Sequence, residues 1–491
     1  MKPRQLLEQA KPVLSEDQLL ELKSAVYFAT KKHEGQKRKS GEPYVSHPLS
    51  VASILMEWGM DSDTIIAGVL HDTIEDTDSS LIEIENEFGR DVAFLVDGVT
   101  KVSAARSGMR DLNSYLPTTT DNLTKLLIAV GQDVRVIIIK LADRLHNMQT
   151  LGYMPPAKQI KISRETLQVF APLADRLNMG RVRVQLEEIA FSYLRPKTFT
   201  KLKKLSKDHL GKSHRKLSRV RSDITDRLKQ EDISCTIDGR IKSIYSLHKK
   251  LKKVGDIDNV YDLIALRIVV DDIDTCYKVL SILHDTYEPQ VERIKDYIAR
   301  PKPNGYQSLH TTVMTEQGQL VEFQIRTTAM HEYAEKGLAA SFHYNEQKLT
   351  DAYKTGKIAS MPANLDWITQ LQEMATQVSE GKEISANQLK IDLFGDRMFV
   401  YSPKGDIYDM PTGAYPLDFA YRIHSDLAKH TTGFKVNGKM IPFTKKLQHG
   451  DTIEVITKRS ALPKQEWLNL IITRHARDKL RSQLNANQKT S

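Results

Sequence analysis

The first chemical signal in this chain is a set of histidines and carboxylates in its N-terminal third. The set comprises His47, His71, Asp72, Glu75, Asp76 and Asp143. Two imidazoles and two carboxylates suit a hydrolytic divalent metal, with coordination positions left for water and a phosphate oxygen. A lone His-Asp pair is weak evidence, but the whole set in one region predicts a metal-dependent phosphohydrolase site.

The spacing suggests different tasks within this set. His71 and Asp72 are adjacent, so a helix can bring both to one ion only if its other face packs into the core. Glu75 and Asp76 follow by one helical turn, where they could orient or deprotonate a water that the metal activates. Ion pairing between helices is the alternative for any single member, and it fits His146 better than metal binding does.

A second group of candidates, in the middle of the chain, would suit a nucleotide. The segment 239–250 places cations on successive turns, as a triphosphate clamp requires, although a solvated basic helix explains it equally well. Asp262 and Glu322 are carboxylates in otherwise apolar strands, which fits a magnesium site for phosphoryl transfer unless each faces solvent. Tyr306 lies on a Pro/Gly turn, 302–310, and could stack on a base, although packing is the commoner role of such a tyrosine.

Hydrophobic periodicity predicts the elements that must hold these residues. The pattern favours an all-α region over 16–195 and a basic connecting helix over 201–229, more simply a solvated face than a nucleic-acid contact. Segments 261–270 and 320–325 are β-rich and flank a helical stretch at 275–287, which indicates an α/β domain. The remaining predictions are a polar, mostly helical linker at 346–390, a compact β-rich module at 397–456 and a final helix at 466–486.

Composition excludes several classes of protein. Apolar residues make up 40% of the 491 residues and charged residues 27%, as in a soluble globular protein of about three domains. No apolar run approaches the ~20 residues of a transmembrane helix, and the charged N-terminus is unlike a signal peptide, so we expect a cytoplasmic protein without a membrane partner. Cys235 and Cys276 are too few for a disulfide framework and are expected to be buried packing residues. The net charge of +9 favours polyanionic partners.

The N-terminal candidates resemble those of a known family. Residues 44–48, 71–77, 97–101 and 140–148 are similar to the HD hydrolase domain of the RelA/SpoT homologue family of alarmone enzymes. The resemblance implies a manganese ion and removal of the 3′-pyrophosphate from (p)ppGpp, giving GDP or GTP. The implied site residues are the metal ligands His47, His71, Asp72 and Asp143, the water-handling acids Glu75 and Asp76, Arg38 on the guanine base and Asn147 on the nucleotide.

The central candidates resemble the synthetase domain of the same family. The resemblance implies that ATP donates pyrophosphate to the 3′-hydroxyl of GDP or GTP and that AMP is released. The implied ATP-binding residues are Arg240, Lys242, Ser246 and Lys250, and the implied magnesium ligands are Asp262 and Glu322, with Glu322 also the base for the 3′-hydroxyl. The implied GTP/GDP-binding residues are Arg293, Lys295, Asp296, Lys302, Asn304, Tyr306, Gln307 and His310, with the Tyr306 ring stacked on guanine.

The C-terminal module resembles the TGS domain that follows the catalytic half of long family members. The similarity covers residues 394–458 and is carried by stretches such as 401–406, 416–424 and 449–454. It implies contact with the 3′ end of tRNA, and hence a tRNA or ribosome partner, with His424 as the candidate contact. A histidine that caps a helix is the alternative for His424. The family's further C-terminal portions have no counterpart before Ser491, so we expect a naturally short member or a truncated chain.

Together these patterns predict a multidomain protein of α and α/β class. Its predicted parts are an all-α HD-type hydrolase domain (1–195), an α/β nucleotidyltransferase-like synthetase domain (196–345), a helical linker (346–390), a small β-grasp TGS domain (391–458) and a C-terminal helix (459–491).

Two signs favour a bifunctional enzyme. The basic motif at 293–296 and the complete hydrolase set are typical of members that both make and degrade the alarmone. Ser341-Phe342 departs from the family's usual sequence, so one alternative is a hydrolase whose synthetase domain only binds nucleotide for regulation. The other is a non-enzymatic tRNA or ribosome sensor. Because simultaneous synthesis and hydrolysis would only consume ATP, we also expect mutual exclusion between the domains through the 201–229 connector.

Overall fold

The computed structural model describes residues 1–100, 129–257, 260, 264–302, 304–315, 318, 320–339 and 397–490. The chain forms two compact units, Met1–Glu380 and Gly381–Ser491. The predicted linker at 346–390, the predicted magnesium ligand Asp262 and the Ser341-Phe342 pair lie outside the described residues.

The N-terminal region of the first unit is helical, as predicted. Its helices are α1 (Pro3–Ala10), α2 (Glu16–Lys32), α3 (Ser46–Trp58), α4 (Ser62–Leu70), α5 (Thr73–Asp76), α6 (Leu81–Phe88), α7 (Arg90–Val99), α8 (Arg135–Gln149), α9 (Pro156–Glu165), α10 (Ala171–Arg176) and α11 (Gly180–Leu194). A π-helical turn, Thr166–Phe170, joins α9 to α10. Helices α2 and α4 begin where the side chains of Ser15 and Asp61 accept hydrogen bonds from first-turn N–H groups.

Helix α4 lies at the centre of this helical core. Every residue from Thr64 to Leu70 is buried, and the helix packs against α2, α3, α7 and α8. Gly68 allows a close approach to α3, because a Cβ at this position would lie 2.5 Å from Leu55 Cδ1. This tight packing brings the end of α4 beside the first turn of α3, where two of the predicted metal ligands lie.

The long helix α12 (Pro196–Gln230) confirms the predicted connecting helix and leads into an α/β region. The strands there are β1 (Thr236–Ile241), β2 (Ile264–Val270), β3 (Glu288–Pro289), β4 (Lys295–Asp296), β5 (Leu309–Met314) and β6 (Leu320–Thr327), and the helices are α13 (Ile244–Val254), α14 (Ile273–Thr286) and α15 (Thr328–Lys336). The strands form a mixed sheet in the order β1-β2-β6-β5-β3, with β4 also paired to β5. Only the β2–β6 pairing among these is parallel.

The sheet separates its apolar and polar side chains onto two faces. The apolar face packs against α12 and α14 and includes Ile237, Leu266, Ile268, Phe323 and Ile325. On the other face Arg240 is in register with Ala265, which is in register with Glu322, while Arg267 is in register with Gln324. Because side chains alternate along a strand, these polar residues form one continuous polar face.

The two cysteines are free thiols of different burial. Cys276 is buried in the core beneath the sheet, and burial raises the pKa of its thiol to about 12. Cys235 is half-buried and packs against the edge of the same core. The prediction of burial therefore holds fully only for Cys276.

The second unit is a small β-rich fold closed by helices. Its elements are β7 (Arg397–Tyr401), β8 (Ile407–Pro411), α16 (Pro416–Ile423), α17 (Ser425–Lys429), β9 (Thr431–Val436), β10 (Lys439–Ile441), β11 (Ile453–Thr457), a 3-10 turn (Gln465–Leu470) and α18 (Arg474–Thr490). The first two strands form a hairpin, and the others pair in the order β10-β9-β11.

The final helix begins later than the predicted start at 466. The buried carboxylate of Asp418 accepts hydrogen bonds from the backbone N–H groups of Ile472 and Thr473 and from the Thr473 hydroxyl. These bonds fix the short segment between the 3-10 turn and Arg474, where α18 starts. Its residues Ala476 and Leu480 are buried in the core of the unit.

Across the residues that the structure describes, none of the helices is long and apolar enough to cross a membrane.

Candidate functional site

The His71-Asp72 pair lies at a break between two helices rather than within one. Helix α4 ends at Leu70, and the four-residue helix α5 begins at Thr73. The prediction of one continuous helix was wrong here, for a geometric reason. Adjacent side chains on a helix diverge by about 100° at 3.6 residues per turn, so the break lets both turn towards the same point.

The structure brings His47, His71 and Asp143 together as a possible metal site. One ligand atom from each lies within 4.8 Å of the other two. The His47 Nε2 atom is 3.2 Å from Asp143 Oδ1 and 3.5 Å from Asp72 Oδ2, and the His71 Nε2 atom is 3.2 Å from Asp72 Oδ1. All four predicted ligands therefore lie close together. The first turn of α3 supplies His47, the α4–α5 break supplies His71 and Asp72, and the middle of α8 supplies Asp143.

Hydrogen bonds orient both imidazoles towards this point. His71 Nδ1 lies 2.8 Å from the carbonyl oxygen of Gly68, which fixes the proton on Nδ1. His47 Nδ1 lies 2.7 Å from Nδ1 of His146, and Arg38 donates to that same His146 nitrogen at 3.4 Å. Since His146 Nδ1 then acts as the acceptor, His47 also carries its proton on Nδ1. Both Nε2 atoms therefore face the carboxylates, where either a proton or a metal ion can bind.

The charges around this point demand a cation. Although burial alone favours the neutral carboxyl, the His71 and His47 imidazoles hold the pKa of Asp72 well below its usual range. Lys140, 3.1 Å away, and both imidazoles do the same for Asp143. In turn, against the effect of burial, Asp72 and Asp143 raise the pKa of His71 to about 9. A divalent metal would supply the positive charge that these carboxylates attract.

The residues present fit a metal on chemical grounds. Among the described residues, His71 Nε2 is buried without a well-aligned hydrogen-bond partner, although Asp72 Oδ1 lies 3.2 Å away, as expected for an atom that donates its lone pair to an ion. Two imidazole nitrogens with carboxylate oxygens suit a borderline divalent transition metal better than calcium, which prefers oxygen ligands alone.

The predicted water-handling acids lie on α5, next to this cluster. The Tyr44 hydroxyl lies 3.0 Å from Asp72 Oδ2 and 2.5 Å from Asp76 Oδ2, so its one proton is shared between a candidate ligand and a candidate catalytic acid. Gln36 donates to the main-chain carbonyl of Asp76 at 2.7 Å. Glu75 is half-buried on the same short helix.

The predicted nucleotide contacts lie at the edge of the cluster. Arg38 is half-buried and donates to Asn147 Oδ1 at 3.1 Å and to the Thr150 hydroxyl at 3.4 Å. Asn147 in turn donates to Asp143 Oδ1. The His146 ring bonds to His47 and Arg38, and burial, with a contribution from each of these neighbours, lowers its pKa to about 3. His146 therefore acts as a hydrogen-bond bridge between the two.

The second site occupies the polar face of the sheet. Arg240 on β1 donates to Gln324 Oε1 at 3.3 Å, and Gln324 donates to Glu322 Oε1 at 2.9 Å. The same Glu322 oxygen lies 3.6 Å from His310 Nδ1, and His310 Nε2 is 2.9 Å from the Tyr306 hydroxyl. A chain of polar groups thus runs from the predicted base-stacking ring to the predicted catalytic carboxylate.

Positive charge accumulates around this chain. Lys302 Nζ lies 4.7 Å from the ring centroids of both Tyr297 and Tyr306. Burial, reinforced by nearby cations, lowers the pKa of Lys302 to about 8 and that of His310 to about 3. His310 is thus neutral at physiological pH, and the site is suited to an anionic ligand.

The predicted ATP-binding residues surround the start of α13. Arg240 is the penultimate residue of β1, Lys242 directly follows the strand, and Ser246 and Lys250 project from successive turns of the helix. Ser243 caps this helix by accepting from the Ser246 N–H at 3.3 Å.

The remaining predicted nucleotide contacts differ in how they are engaged. Arg293 and Lys295 are exposed, whereas Asp296 accepts from the Tyr277 hydroxyl and from two backbone N–H groups. Gln307 donates to the carbonyl of Ile298 at 3.3 Å. Asn304 bonds within the protein through both ends of its amide, as described below.

His424 in the second unit is exposed and caps α17, since its Nδ1 accepts from the Asp426 N–H at 3.2 Å. The capping role is therefore present.

Sequence reasoning missed several residues that contact these sites. Tyr44 and Lys140 contact predicted ligands directly. On the sheet, Arg267 and the fully buried Arg326 lie 3.3 and 3.5 Å from Glu335 Oε1. The signal that selected Glu322, a charge inside an apolar strand, is equally present at Arg267 and Arg326 and could have found them.

Three family models match successive parts of the chain. The HD domain family matches residues 25–180, the region found in RelA / SpoT proteins matches 239–349, and the TGS domain matches 398–457. A GTP pyrophosphokinase of Myxococcus xanthus is 42% identical over 473 residues, covering 95% of this chain and 61% of that protein. The bifunctional (p)ppGpp synthase/hydrolase SpoT of Escherichia coli K12 is 40% identical, over 96% of this chain and 66% of that one.

The solved structure of the small alarmone synthetase 2 from Bacillus subtilis matches with 26% identity and a TM-score of 0.24, over 36% of this chain and 94% of that chain. The chain spans about two thirds or less of the length of the two curated relatives. Three domain matches in one order and at least 40% identity along nearly its whole length show that the chain belongs to the RelA/SpoT family.

Proposed function

We propose that the chain is a bifunctional enzyme of (p)ppGpp metabolism, which makes the alarmone at one site and hydrolyses it at the other. The observation that carries this proposal is the presence in one unit of two separate sites of opposite character. Acids and imidazoles cluster on α3, α8 and the α4–α5 break, whereas cations surround Glu322 on the sheet. The E. coli relative is named for both activities, which supports one reaction at each site.

For hydrolysis we assign a manganese ion to His47, His71, Asp72 and Asp143. Such an ion polarises a phosphate oxygen and lowers the pKa of water towards neutrality. Asp76, fixed by the Tyr44 hydroxyl, orients the attacking water, and Glu75 on the same short helix accepts its proton. The water oxygen bonds to the phosphorus next to the ribose, the bond from that phosphorus to O3′ breaks, and O3′ is protonated. The products are pyrophosphate and GDP or GTP.

Recognition of the alarmone at this site is assigned to Arg38 and Asn147. The Arg38 guanidinium is held by Asn147 and Thr150, so its plane is fixed beside the ligand cluster. A fixed guanidinium plane can stack on guanine at little entropic cost. Asn147 also bonds to Asp143, which ties base recognition to the metal site.

For synthesis we assign the role of base to Glu322, with Asp262 as its partner in holding magnesium. Magnesium neutralises charge on the transferred phosphates. The Glu322 carboxylate accepts the proton of the 3′-hydroxyl, and O3′ bonds to the β-phosphorus of ATP. The bond from that phosphorus to the oxygen shared with the α-phosphorus breaks, and AMP leaves with this oxygen. Arg240, Lys242, Ser246 and Lys250 bind the ATP.

The acceptor nucleotide is assigned to the loop that carries Tyr306. The phenol ring stacks on guanine, Lys302 supplies charge beside it, and His310 holds the phenol hydroxyl. The exposed Arg293 and Lys295 are assigned to the acceptor's phosphates, with Asp296 and Gln307 shaping the same loop.

For the second unit we propose contact with the 3′ end of tRNA. The support is the match to the TGS domain and the exposed ring of His424. Replacement of His424 by alanine should weaken binding of uncharged tRNA in a filter assay, whereas His449→Ala, in the same unit, should not.

Two incubations test the main proposal. With ATP, GDP and magnesium, the purified protein should produce AMP and ppGpp in equal amounts. With ppGpp and manganese, it should produce GDP and pyrophosphate. Hydrolysis without AMP formation would instead support a hydrolase with a regulatory nucleotide-binding domain, and neither reaction would support a sensor without catalytic activity.

A further inference from the structure

Asn304 lies in the loop 302–310 that carries Tyr306, here called the acceptor loop. Both ends of its side-chain amide form hydrogen bonds within the protein. Its Nδ2 donates to the main-chain carbonyl of Asp175 at 3.0 Å, and its Oδ1 accepts from the N–H of Tyr306 at 3.3 Å. The first bond fixes which way the amide points, and the second then connects it to the base-stacking residue. The geometry fits a tether for Tyr306 better than a group that reads a base edge.

The other end of this tether is the carbonyl end of helix α10, in the helical region. The last carbonyls of a helix lack intrahelical partners and accept from other donors. Asp175 O serves Asn304 in this way and also accepts from the N–H of Asn178 at 3.0 Å. Arg183 holds the Asp175 side chain at 2.8 Å, so this turn is itself fixed.

The turn after α10 is shaped to meet the α/β region. Asn178 has a left-handed backbone, φ +55°, which few residues other than glycine adopt easily. It is 4% exposed, and its Nδ2 donates to the carbonyl of Tyr333 on α15 at 3.1 Å. The carbonyl of Leu177 accepts from the N–H of Leu338 at 2.9 Å. An asparagine here thus does more than allow the turn, because its amide spans the gap to α15.

Tyr333 contacts both the Asn178 turn and the acceptor loop. Its hydroxyl donates to the carbonyl of Asn304 at 3.4 Å. Gly305, with φ +76°, packs so closely on this tyrosine that a Cβ would lie 2.8 Å from the Tyr333 hydroxyl oxygen. At Gly337 a Cβ would lie 2.3 Å from the carbonyl oxygen of Leu177. The contacts form a closed ring from Asn304 through the α10 end, Asn178 and Tyr333 back to Asn304.

We propose that Asn304 is a positioning residue and that the Leu177-Asn178 turn of the helical region is part of the acceptor-nucleotide site. The inference rests on the proposed synthetase function. Tyr306 is then held at its backbone by Asn304 and by the Lys302 N–H, and at its hydroxyl by His310. Loosening the Asn304 bond lets the ring rotate away from the plane in which guanine stacks.

The variant Asn178→Gly isolates the amide of the turn. Glycine adopts φ +55° without strain, so only the bond to Tyr333 is lost. GDP affinity measured by titration calorimetry, and the KM for GDP in synthesis, should worsen about two- to tenfold, as expected for one hydrogen bond. The KM for ATP and the hydrolysis of ppGpp should stay unchanged. Tyr333→Phe removes only the hydroxyl that donates to the Asn304 carbonyl, and it should also weaken GDP binding, by a smaller factor.

Asn437→Gly is the matched control. Asn437 is also left-handed, φ +51°, and also donates its amide to a protein oxygen, but it is exposed and lies in the second unit. Its replacement should leave GDP affinity as in the wild type. Equal GDP affinity in wild type, Asn178→Gly and Tyr333→Phe would overturn the proposal.

A double variant separates positioning from base reading. Asn304→Ala should weaken GDP binding but add little to Asn178→Gly, because both changes loosen the same set of contacts. A full additive loss of GDP affinity in the double variant would make Asn304 a base-reading residue and contradict the inference. Weakened GDP binding in a protein that forms no ppGpp would leave the inference standing and defeat only the proposed synthesis.

Discussion

At the scale of single residues, the hydrolase site depends on how each polar atom is oriented. The Nε2 atoms of His47 and His71 face the carboxylates because their Nδ1 atoms are occupied by His146 and by the Gly68 carbonyl. Tyr44 extends this order to Asp76, through a hydroxyl shared with Asp72. Groups that orient metal ligands commonly matter almost as much as the ligands.

Tyr44→Phe tests this orienting role. The variant removes the hydroxyl but keeps the ring, so Asp72 and Asp76 lose a shared donor without a change in packing. We expect the kcat for ppGpp hydrolysis or the manganese affinity to fall about tenfold or more, with synthesis unaffected. The exposed Tyr27 provides the control Tyr27→Phe. Wild-type hydrolysis and metal affinity in Tyr44→Phe would contradict the role.

The pKa of Lys302 gives the synthetase site a pH dependence. Burial lowers this pKa to about 8, so the side chain is cationic below that pH and neutral above it. An anionic nucleotide is attracted only by the cationic form. The affinity for GDP should therefore decline as the pH rises through about 8, and Lys302→Arg should keep its affinity at high pH because guanidinium stays charged. Titrations of both proteins at several pH values decide this, and parallel profiles would exclude Lys302 as the titrating group.

At the scale of elements, the ligand set depends on the close packing of α3 on α4. Helix α3 begins and helix α4 ends where ligands lie, so their separation affects the distance between His47 and His71. Gly68 lies at a point of close approach, and its carbonyl also orients His71.

Gly68→Ala should therefore damage stability and hydrolysis together. The added methyl would lie 2.5 Å from Leu55 Cδ1, and Leu55 is fully buried. We expect the free energy of unfolding to fall by about 1–3 kcal/mol, as in other overpacked cores, and hydrolysis to fall more than synthesis. Urea unfolding and both assays check this. At Gly152 the same methyl meets only an ordinary contact, 3.4 Å from the Tyr193 hydroxyl oxygen, so Gly152→Ala should resemble the wild type.

In the second unit, Asp418 fixes the start of the last helix. Its carboxylate accepts from three backbone N–H groups, at Tyr415, Ile472 and Thr473. Asp418→Ala leaves these buried donors unpaired and should destabilise this unit by about 2–4 kcal/mol. Hydrogen exchange in the full chain should show faster exchange over 397–490 and unchanged exchange over 1–100. The exposed Asp426 gives the control Asp426→Ala, and protection equal to the wild type in Asp418→Ala would contradict this role.

Much of the scaffold was predictable from the sequence because periodicity reports which face of an element is buried. The long helix α12, the strands β2 and β6 and the β-rich second unit all carry such patterns. The break at His71-Asp72 was not predictable, since the local residues suit a helix and tertiary packing decides otherwise. The late start of α18 likewise depends on Asp418, more than fifty residues away in sequence.

At the two sites, the candidate residues could be predicted from the sequence, but the side chains that form hydrogen bonds with them could not. His47, His71 and Asp143 carry a ligand chemistry that is visible in the sequence. The orienting contacts of Tyr44, His146 and Asn304 join residues far apart along the chain, and only the fold brings these together. Arg326 was missed although a charge inside an apolar strand is the same signal that selected Glu322.

At the scale of the whole molecule, the first unit holds two sites whose chemistries oppose each other. The helical region does more than carry its own site, because its Leu177-Asn178 turn and its Glu188 carboxylate bond to the α/β region, the latter to the N–H of Ile244 at 2.8 Å. Mutual exclusion of the two activities stays a prediction, and these contacts identify the residues through which it can be tested.

We propose two separate catalytic centres in one chain. Nucleotide chromatography of the wild type, His71→Ala and Glu322→Ala, each given ATP with GDP and, separately, ppGpp, tests this proposal most directly. We predict that His71→Ala loses hydrolysis but still forms AMP and ppGpp, and that Glu322→Ala loses synthesis but still releases GDP and pyrophosphate. Loss of both reactions in either variant, or retention of the reaction assigned to the replaced residue, would contradict the account.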